Sequence, residues 1–152
     1  MAQTNDAAEI SAVLLAAFAE FRPLYTDGGF AATTPGPDDV VSRLHEGPIW
    51  VALYERLIAG TVSVVLEGGN LYIRGMAVLP EARGQAIGQA LLIQTERYAE
   101  AHGCRRLFLS TTPFLLRAIR LYEQFGFRRT DEGPHDLLGT PLFTMEKIAT
   151  QR

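Results

Sequence analysis

Arg83-Gly84-Gln85-Ala86-Ile87-Gly88-Gln89 stands where a strand hands over to a helix. Upstream, Leu71–Val78 is a strand-like apolar run bounded by Gly68-Gly69-Asn70 and Pro80. Downstream, Ile87, Leu91, Thr95, Tyr98 and His102 fall on one side of a helical pattern that ends at Gly103. A strand, a short glycine-containing turn and a helix start aim several unpaired backbone N–H groups, and the positive end of the helix dipole, at one spot. A phosphate or pyrophosphate is the natural occupant of such a spot. Arg83 would add charge attraction to that backbone cradle. The spacing is neither Gly-x-x-x-x-Gly-Lys-Ser/Thr nor Gly-x-Gly-x-x-Gly, so two standard phosphate motifs are excluded.

A second chemical group is the phenol of Tyr122, within Ala118-Ile-Arg-Leu-Tyr-Glu-Gln-Phe-Gly-Phe127. An unperturbed phenol, with a pKa near ~10, is protonated at neutral pH and available as a proton donor. Tyr122 also fits the apolar helix face formed by Leu115, Ala118, Ile119 and Phe125, where it would be core. Groups able to take a proton are scattered: Glu67, Tyr72, His45 and His135 are candidates, and none stands in a motif that assigns it the role. Cys104 follows the helix-ending Gly103 and reads as a small buried filler, because no histidine-containing motif accompanies it.

The elements that must position these groups follow from the pattern. Asp6–Phe21 is an amphipathic helix with Ile10, Val13, Leu14, Ala17, Phe18 and Phe21 on its apolar face. A turn-rich loop runs from Asp27 to Pro37, and a short helix capped at Asp38 or Asp39 runs to about Glu46. Ile49–Tyr54, Leu57–Leu66 and Leu71–Val78 are three strands of an antiparallel meander, with Gly60 inside the second and Gly75 inside the third. Glycine inside a strand marks a bulge or a close backbone approach. The strand Arg105–Ser110 follows the central helix and is therefore expected to run parallel to Leu71–Val78. Thr111-Thr112-Pro113 predicts a helix start, with the helix closing at Gly126, and Phe127–Thr130 and Leu142–Ile148 complete the strands around a polar loop.

At 152 residues, 47% hydrophobic and 20% charged, the chain reads as one globular domain over 1–152. A net charge of −3 argues against a nucleic-acid grip. The single cysteine suits a reducing compartment, and Asp6 and Glu9 argue against a secretory leader. No apolar run reaches membrane-spanning length. The expected compartment is the cytoplasm, with no membrane or nucleic-acid partner and no metal.

The string Val-x-Pro-Glu-x-Arg-Gly-x-x-Ile-Gly-x-Ala-Leu-Leu over Val78–Leu92 resembles the acetyl-CoA-binding segment of the GNAT superfamily of N-acetyltransferases, whose core is Arg/Gln-x-x-Gly-x-Gly/Ala. Ala118–Phe127 resembles that family's second pattern, Ala-x-x-Leu-Tyr-x-x-x-Gly-Phe. The resemblance implies an α/β (mixed α+β) fold: a mostly antiparallel mixed sheet of six or seven strands, four flanking helices and a splayed parallel pair at the cofactor site. It implies acetyl-CoA bound by Arg83, Gly84, Gln85, Ala86, Ile87, Gly88 and Gln89, with the pantetheine arm on the main chain of Met76, Ala77 and Val78. It implies direct attack of an amine within a ternary complex, the carbonyl oxygen held by the Val78 N–H and the departing thiolate protonated by Tyr122.

The sequence departs from the family at several points. Ala86 replaces the usual first glycine, and an alanine there is expected to keep helical backbone angles without penalty. Leu115 stands where many members carry Asn, and Tyr72 and Ser110 stand where many carry the Glu that helps deprotonate the amine. The acceptor is expected to be a primary amine of a small molecule, bound by the 21–46 segment and the 131–141 loop with Tyr25, Phe30, His45 and His135. Rival readings are an acyl-CoA-binding module without turnover and an acetyltransferase of protein N-termini or lysines. Sheet edges of this kind often pair, which leaves room for a homodimer.

Overall fold

In the computed structural model, which describes residues 1–133 and 135–149, helix α1 (Ala7–Phe18) leads through a 3-10 stretch, Ala19–Leu24, to α2 (Asp27–Thr33) and α3 (Pro37–Glu46). Then come β1 (Ile49–Tyr54), β2 (Leu57–Glu67), β3 (Asn70–Val78), α4 (Ile87–Ala101) and β4 (Arg106–Thr111). The chain finishes with α5 (Leu116–Gln124), β5 (Arg128–Arg129), β6 (His135–Leu137) and β7 (Thr140–Ile148). The sheet is 7-stranded, in the order β1-β2-β3-β4-β7-β5, with β6 paired to β7. Every neighbouring pair is antiparallel except β3 and β4, as the crossover through α4 requires. None of the described helices is long and apolar enough to cross a membrane.

Two apolar clusters flank the sheet. One joins α4 and α5 to it through Ile87, Leu91, Leu92, Ala99, Leu107, Leu109 and Phe127. The other sets Ile10, Val13, Leu14 and Ala17 of α1, with Val40 of α3, against Ile49, Ile58 and Ala77. The expected faces of α1 and α4 are buried at Ile10, Val13, Leu14, Ala17, Ile87, Leu91 and Thr95 and half-buried at Phe18, Phe21 and Tyr98, whereas His102 is exposed and stacks on Tyr98. Gly60 admits α4: a Cβ there would lie 2.7 Å from Ile87 Cγ2.

The bulge expected at Gly75 is present. Thr61 pairs with Ala77 and Ser63 with Arg74, so Val62 lies opposite both Gly75 and Met76, and Gly75 takes φ +60. The parallel pairing is brief: only Asn70–Tyr72 meets Arg106–Phe108. Beyond Tyr72 the two strands part. Leu79 N donates to Ala59 O at 2.8 Å, and successive strand amides alternate in direction, so the amides of Val78 and Met76 point away from β2 into that gap.

Two elements differ from expectation. The Asp27–Pro37 loop contains α2, giving five α-helices among the described residues where four were expected. Thr26 caps α2 by accepting from Gly29 N at 3.0 Å, and its own N–H donates to Thr140 Oγ1 at 2.9 Å. Gly29 leaves no room for a side chain, since a Cβ would lie 2.2 Å from Thr140 Oγ1. Long-range packing on β6 and β7 thus selects a helix from a glycine-rich stretch that local propensity reads as a turn. Likewise α5 starts at Leu116 and not at Pro113, because Thr111 remains in β4, paired with Phe143, and residues 112–115 form a tight turn.

Candidate active site

The gap between β3 and β4 opens into a cavity of about 840 Å³. Its floor is β3 from Tyr72 to Val78 and β4 from Leu109 to Thr111, and its walls come from α1, the 19–25 stretch, α3, the start of α4 and α5.

At one end lies the turn before α4. Arg83, Gly84, Ala86, Ile87, Gly88 and Gln89 line the cavity, as do Met76, Ala77 and Val78. Gln85 is exposed and lies outside the lining. Ala90 N donates to Ala86 O at 3.1 Å, the first bond of the helical ladder, so the N–H groups of Ile87, Gly88 and Gln89 have no carbonyl behind them. Gly84 takes φ +86 with nothing within 4 Å of an added Cβ, leaving its backbone open to a ligand. Gly88 has a packing reason instead, since a Cβ would sit 2.7 Å from Leu121 Cδ2 of α5. Arg83 pairs with Glu20 at 2.5 Å.

Ala86 corrects an expectation. Its backbone is left-handed, φ 58 and ψ 23, where helical angles were expected. The chain enters α4 through this left-handed residue. An L-residue there is strained by about 1–2 kcal/mol. The family's usual glycine at this position has a backbone reason that the alanine does not meet.

Tyr122, in the last turn of α5, is 7% exposed, packs 5.9 Å from the Phe127 ring and lines the cavity. Its hydroxyl is not the unperturbed phenol expected. Burial, and secondarily Tyr25, push its pKa well up, so it stays protonated across the neutral range and beyond.

The opposite end is built from side chains. Tyr25, Thr33, Arg43, Tyr72, Arg74 and Thr112 line it, with Phe21, Leu115, Leu137 and Leu142 as apolar wall. Tyr25 packs edge-on against Phe114 at 4.9 Å. Burial raises the pKa of Tyr25 against the opposing Thr112 and Thr33 hydroxyls. Burial also raises Tyr72, against Arg74 and Arg43. Of the proton acceptors the sequence offers, only Tyr72 reaches the cavity. Glu67 and His45 are exposed elsewhere, and His135 bonds Thr144 Oγ1 at 3.1 Å outside it. Of the expected acceptor residues, Tyr25 lines the cavity and Phe30 packs behind it at 5.9 Å. Cys104 is buried, and burial raises its thiol pKa, which fits a filler. No group of His, Cys, Asp and Glu among the described residues is placed to hold a metal.

The sequence reading passed over Arg43, Arg74, Thr112, Arg117 and Arg120, all of which line the cavity. Only Arg117 and Arg120, spaced i, i+3 on α5, left a readable signal.

The family model described as "Acetyltransferase (GNAT) family" matches residues 14–127. The N-acetyltransferase YjgM of Escherichia coli (strain K12) is 29% identical over 134 residues, 84% of this chain and 79% of that protein. The IAA acetyltransferase of Azospirillum brasilense is 39% identical over 75 residues, 49% of this chain and 48% of that one. The crystal structure of PaiA N-acetyltransferase from Thermoplasma acidophilum in complex with coenzyme A superposes with TM-score 0.83 over 97% of this chain and 96% of that one, at 14% identity.

Proposed function

The chain belongs to the GNAT acetyltransferase family, and on that premise we propose that it moves an acetyl group from acetyl-CoA to a primary amine of a small molecule, within one domain spanning 1–152. The observation that carries this reading is the meeting, in a single cavity, of three things: the free N–H groups of Ile87–Gln89, the open edge of β3 and the Tyr122 phenol. The first fits the pyrophosphate, with Gly84 and Arg83 beside it. The second offers the Met76 and Val78 amides to the pantetheine arm as a ligand strand added to the sheet.

In the reaction the amine nitrogen attacks the thioester carbon, and the carbonyl oxygen, gaining negative charge, accepts from the Val78 N–H. The C–S bond then breaks, its electron pair stays on sulfur, Tyr122 donates a proton to the thiolate, and the proton lost by the attacking nitrogen returns through water to the Tyr122 oxygen, leaving amide, CoA thiol and neutral phenol. The amine must arrive neutral, its proton passing to water. A raised phenol pKa makes Tyr122 a weaker acid but keeps it fully protonated and ready. The rival of a binding module without turnover has in its favour only that no carboxylate among the described residues lines the cavity.

Calorimetric titration with acetyl-CoA and with ATP, followed by thiol release over a panel of amines, tests the reading. Selective acetyl-CoA binding with amine-dependent release is expected. Binding without release on any amine would favour the module, and no binding would end both readings.

A further inference from the structure

The chain carries a net charge of −3, yet among the described residues every charged side chain that lines the cavity is an arginine: Arg43, Arg74, Arg83, Arg117 and Arg120. Arg83 and Arg74 have carboxylate partners, Glu20 at 2.5 Å and Glu46 at 3.0 Å. Arg43 has none within ion-pair reach among the described residues; its Nη2 is 3.5 Å from the carbonyl of Ala32. Its Nη1 lies 3.0 Å from where a Cβ of Gly75 would stand, over the bulge at which β3 leaves β4. Arg74 lies within β3, immediately before Gly75, and its Nε is buried without a hydrogen-bond partner. The Thr112 hydroxyl, in a residue 2% exposed, faces the Tyr25 phenol. Two half-buried cations, one of them with a buried nitrogen that has no hydrogen-bond partner, are costly at one cavity wall unless something anionic completes them.

We propose that the acceptor is an amino acid whose carboxylate is held by Arg43, with Arg74 beside it, and whose amine faces the Val78 end of β3. The proposal rests on the acetyl-transfer reading above and adds the class of acceptor. From Gly75 to Val78 is three residues of strand, roughly 10 Å. That length takes a hydrogen bond at each end and a short carbon chain between, the format of an amino acid. A guanidinium offers the planar donor pair that a carboxylate fits. The same charges bear on the missing base. Protonated amines are repelled by Arg43 and Arg74, so the neutral, nucleophilic form is favoured at the site without a dedicated carboxylate. Polyamines, which carry several positive charges and no anion, suit this end poorly.

The test measures kcat/KM by thiol release for common amino acids, for the corresponding amino-acid amides and for spermidine, after calorimetry has established acetyl-CoA binding. Acids are expected to exceed their amides by at least about tenfold, the scale of one charged hydrogen bond. In Arg43→Gln that ratio should fall towards one through a raised KM, with acetyl-CoA affinity unchanged and the thermal midpoint held or raised, and Arg43→Lys should restore part of the ratio. Equal use of acids and amides, a preference for spermidine, a ratio that survives Arg43→Gln, or no amino acid turned over by a protein that binds acetyl-CoA would each overturn the proposal. In all of these the acetyl-transfer reading survives or falls on its own evidence: release on spermidine or amides keeps it, and absent acetyl-CoA binding removes it together with the acceptor class.

Discussion

At the α4 end of the cavity, what faces a ligand is main chain: the amides of Ile87, Gly88 and Gln89, the bare backbone of Gly84 and the edge of β3 at Met76 and Val78. At the Tyr25 end it is side chains brought from separate parts of the sequence, Tyr25, Arg43, Arg74 and Thr112. A main-chain site constrains backbone angles and leaves most side chains free, so it should tolerate substitutions that keep the path of the chain. A side-chain site is the reverse: the path is held by α2 and the β6–β7 hairpin, and the chemistry changes with each residue. Tyr122 lies between the two and tests the contrast most severely.

Tyr122→Phe removes one oxygen from a buried aromatic and leaves its packing against Phe127. If the hydroxyl protonates the departing thiolate, kcat should fall about a hundredfold, at the low end of general-acid effects, with the affinity for acetyl-CoA unchanged. A variant with full kcat would reassign Tyr122 to packing alone. The same substitution has a pH signature. The folded-state pKa lies above the ordinary value near 10.0, so the buried phenol contributes stability that is complete below that value. As pH rises past it the unfolded chain releases a proton that the folded chain keeps, and stability falls. Thermal midpoints should drop above about pH 10 in the native protein and drop less steeply in Tyr122→Phe.

Gln89→Glu probes the main-chain end by charge. Gln89 is the third residue of α4 and lines the cavity, and glutamate has nearly the same shape. A carboxylate in the first turn of a helix is favoured by the dipole by about 0.3–1 kcal/mol, so the thermal midpoint should hold or rise. Against a bound pyrophosphate it is repulsive. Two unit charges ~10 Å apart at an effective dielectric near 20 repel by about 1.7 kcal/mol, so acetyl-CoA affinity should weaken more than tenfold. Added salt should recover part of the loss. A variant that is stabilised and binds acetyl-CoA as before would place the phosphates elsewhere.

The same division explains what was legible in the sequence. Strands and helices with a strong period, such as α1, β2 and α4, were readable within a residue or two, apart from the 3-10 continuation of α1, because their burial follows from one repeated pattern. The α4 turn was readable because main-chain geometry leaves glycines at fixed spacing. Helix α2 was not, since Gly28-Gly29 reads as a turn until Thr26 and Thr140 hold it. Arg43 and Arg74 were not, since an arginine on an amphipathic helix or a strand reads as a solvated charge. Only the bulge at Gly75 and the approach of α3 turn them inward together. Ala86 was misread for a related reason: a residue's type gives its preferred basin, and here the turn imposes another.

Ala86→Gly is therefore the mildest test and the most specific for a site made of main chain. Relief of the left-handed strain contributes about 1–2 kcal/mol, while glycine's extra freedom in the unfolded chain takes back roughly 0.4–1. The net is a stabilisation of about 1 kcal/mol or slightly less, seen as a midpoint raised by about 2–4 °C for a chain of this size. The amides of Ile87, Gly88 and Gln89 keep their directions, because glycine adopts φ 58 and ψ 23 more easily than alanine does. Acetyl-CoA affinity should accordingly stay within about twofold, the smallest effect proposed and the opposite of the Arg43→Gln loss on the acceptor side. A lowered midpoint would mean that residue 86 does not hold left-handed angles in solution, and the free amides of α4 would then lack the turn that aims them into the cavity.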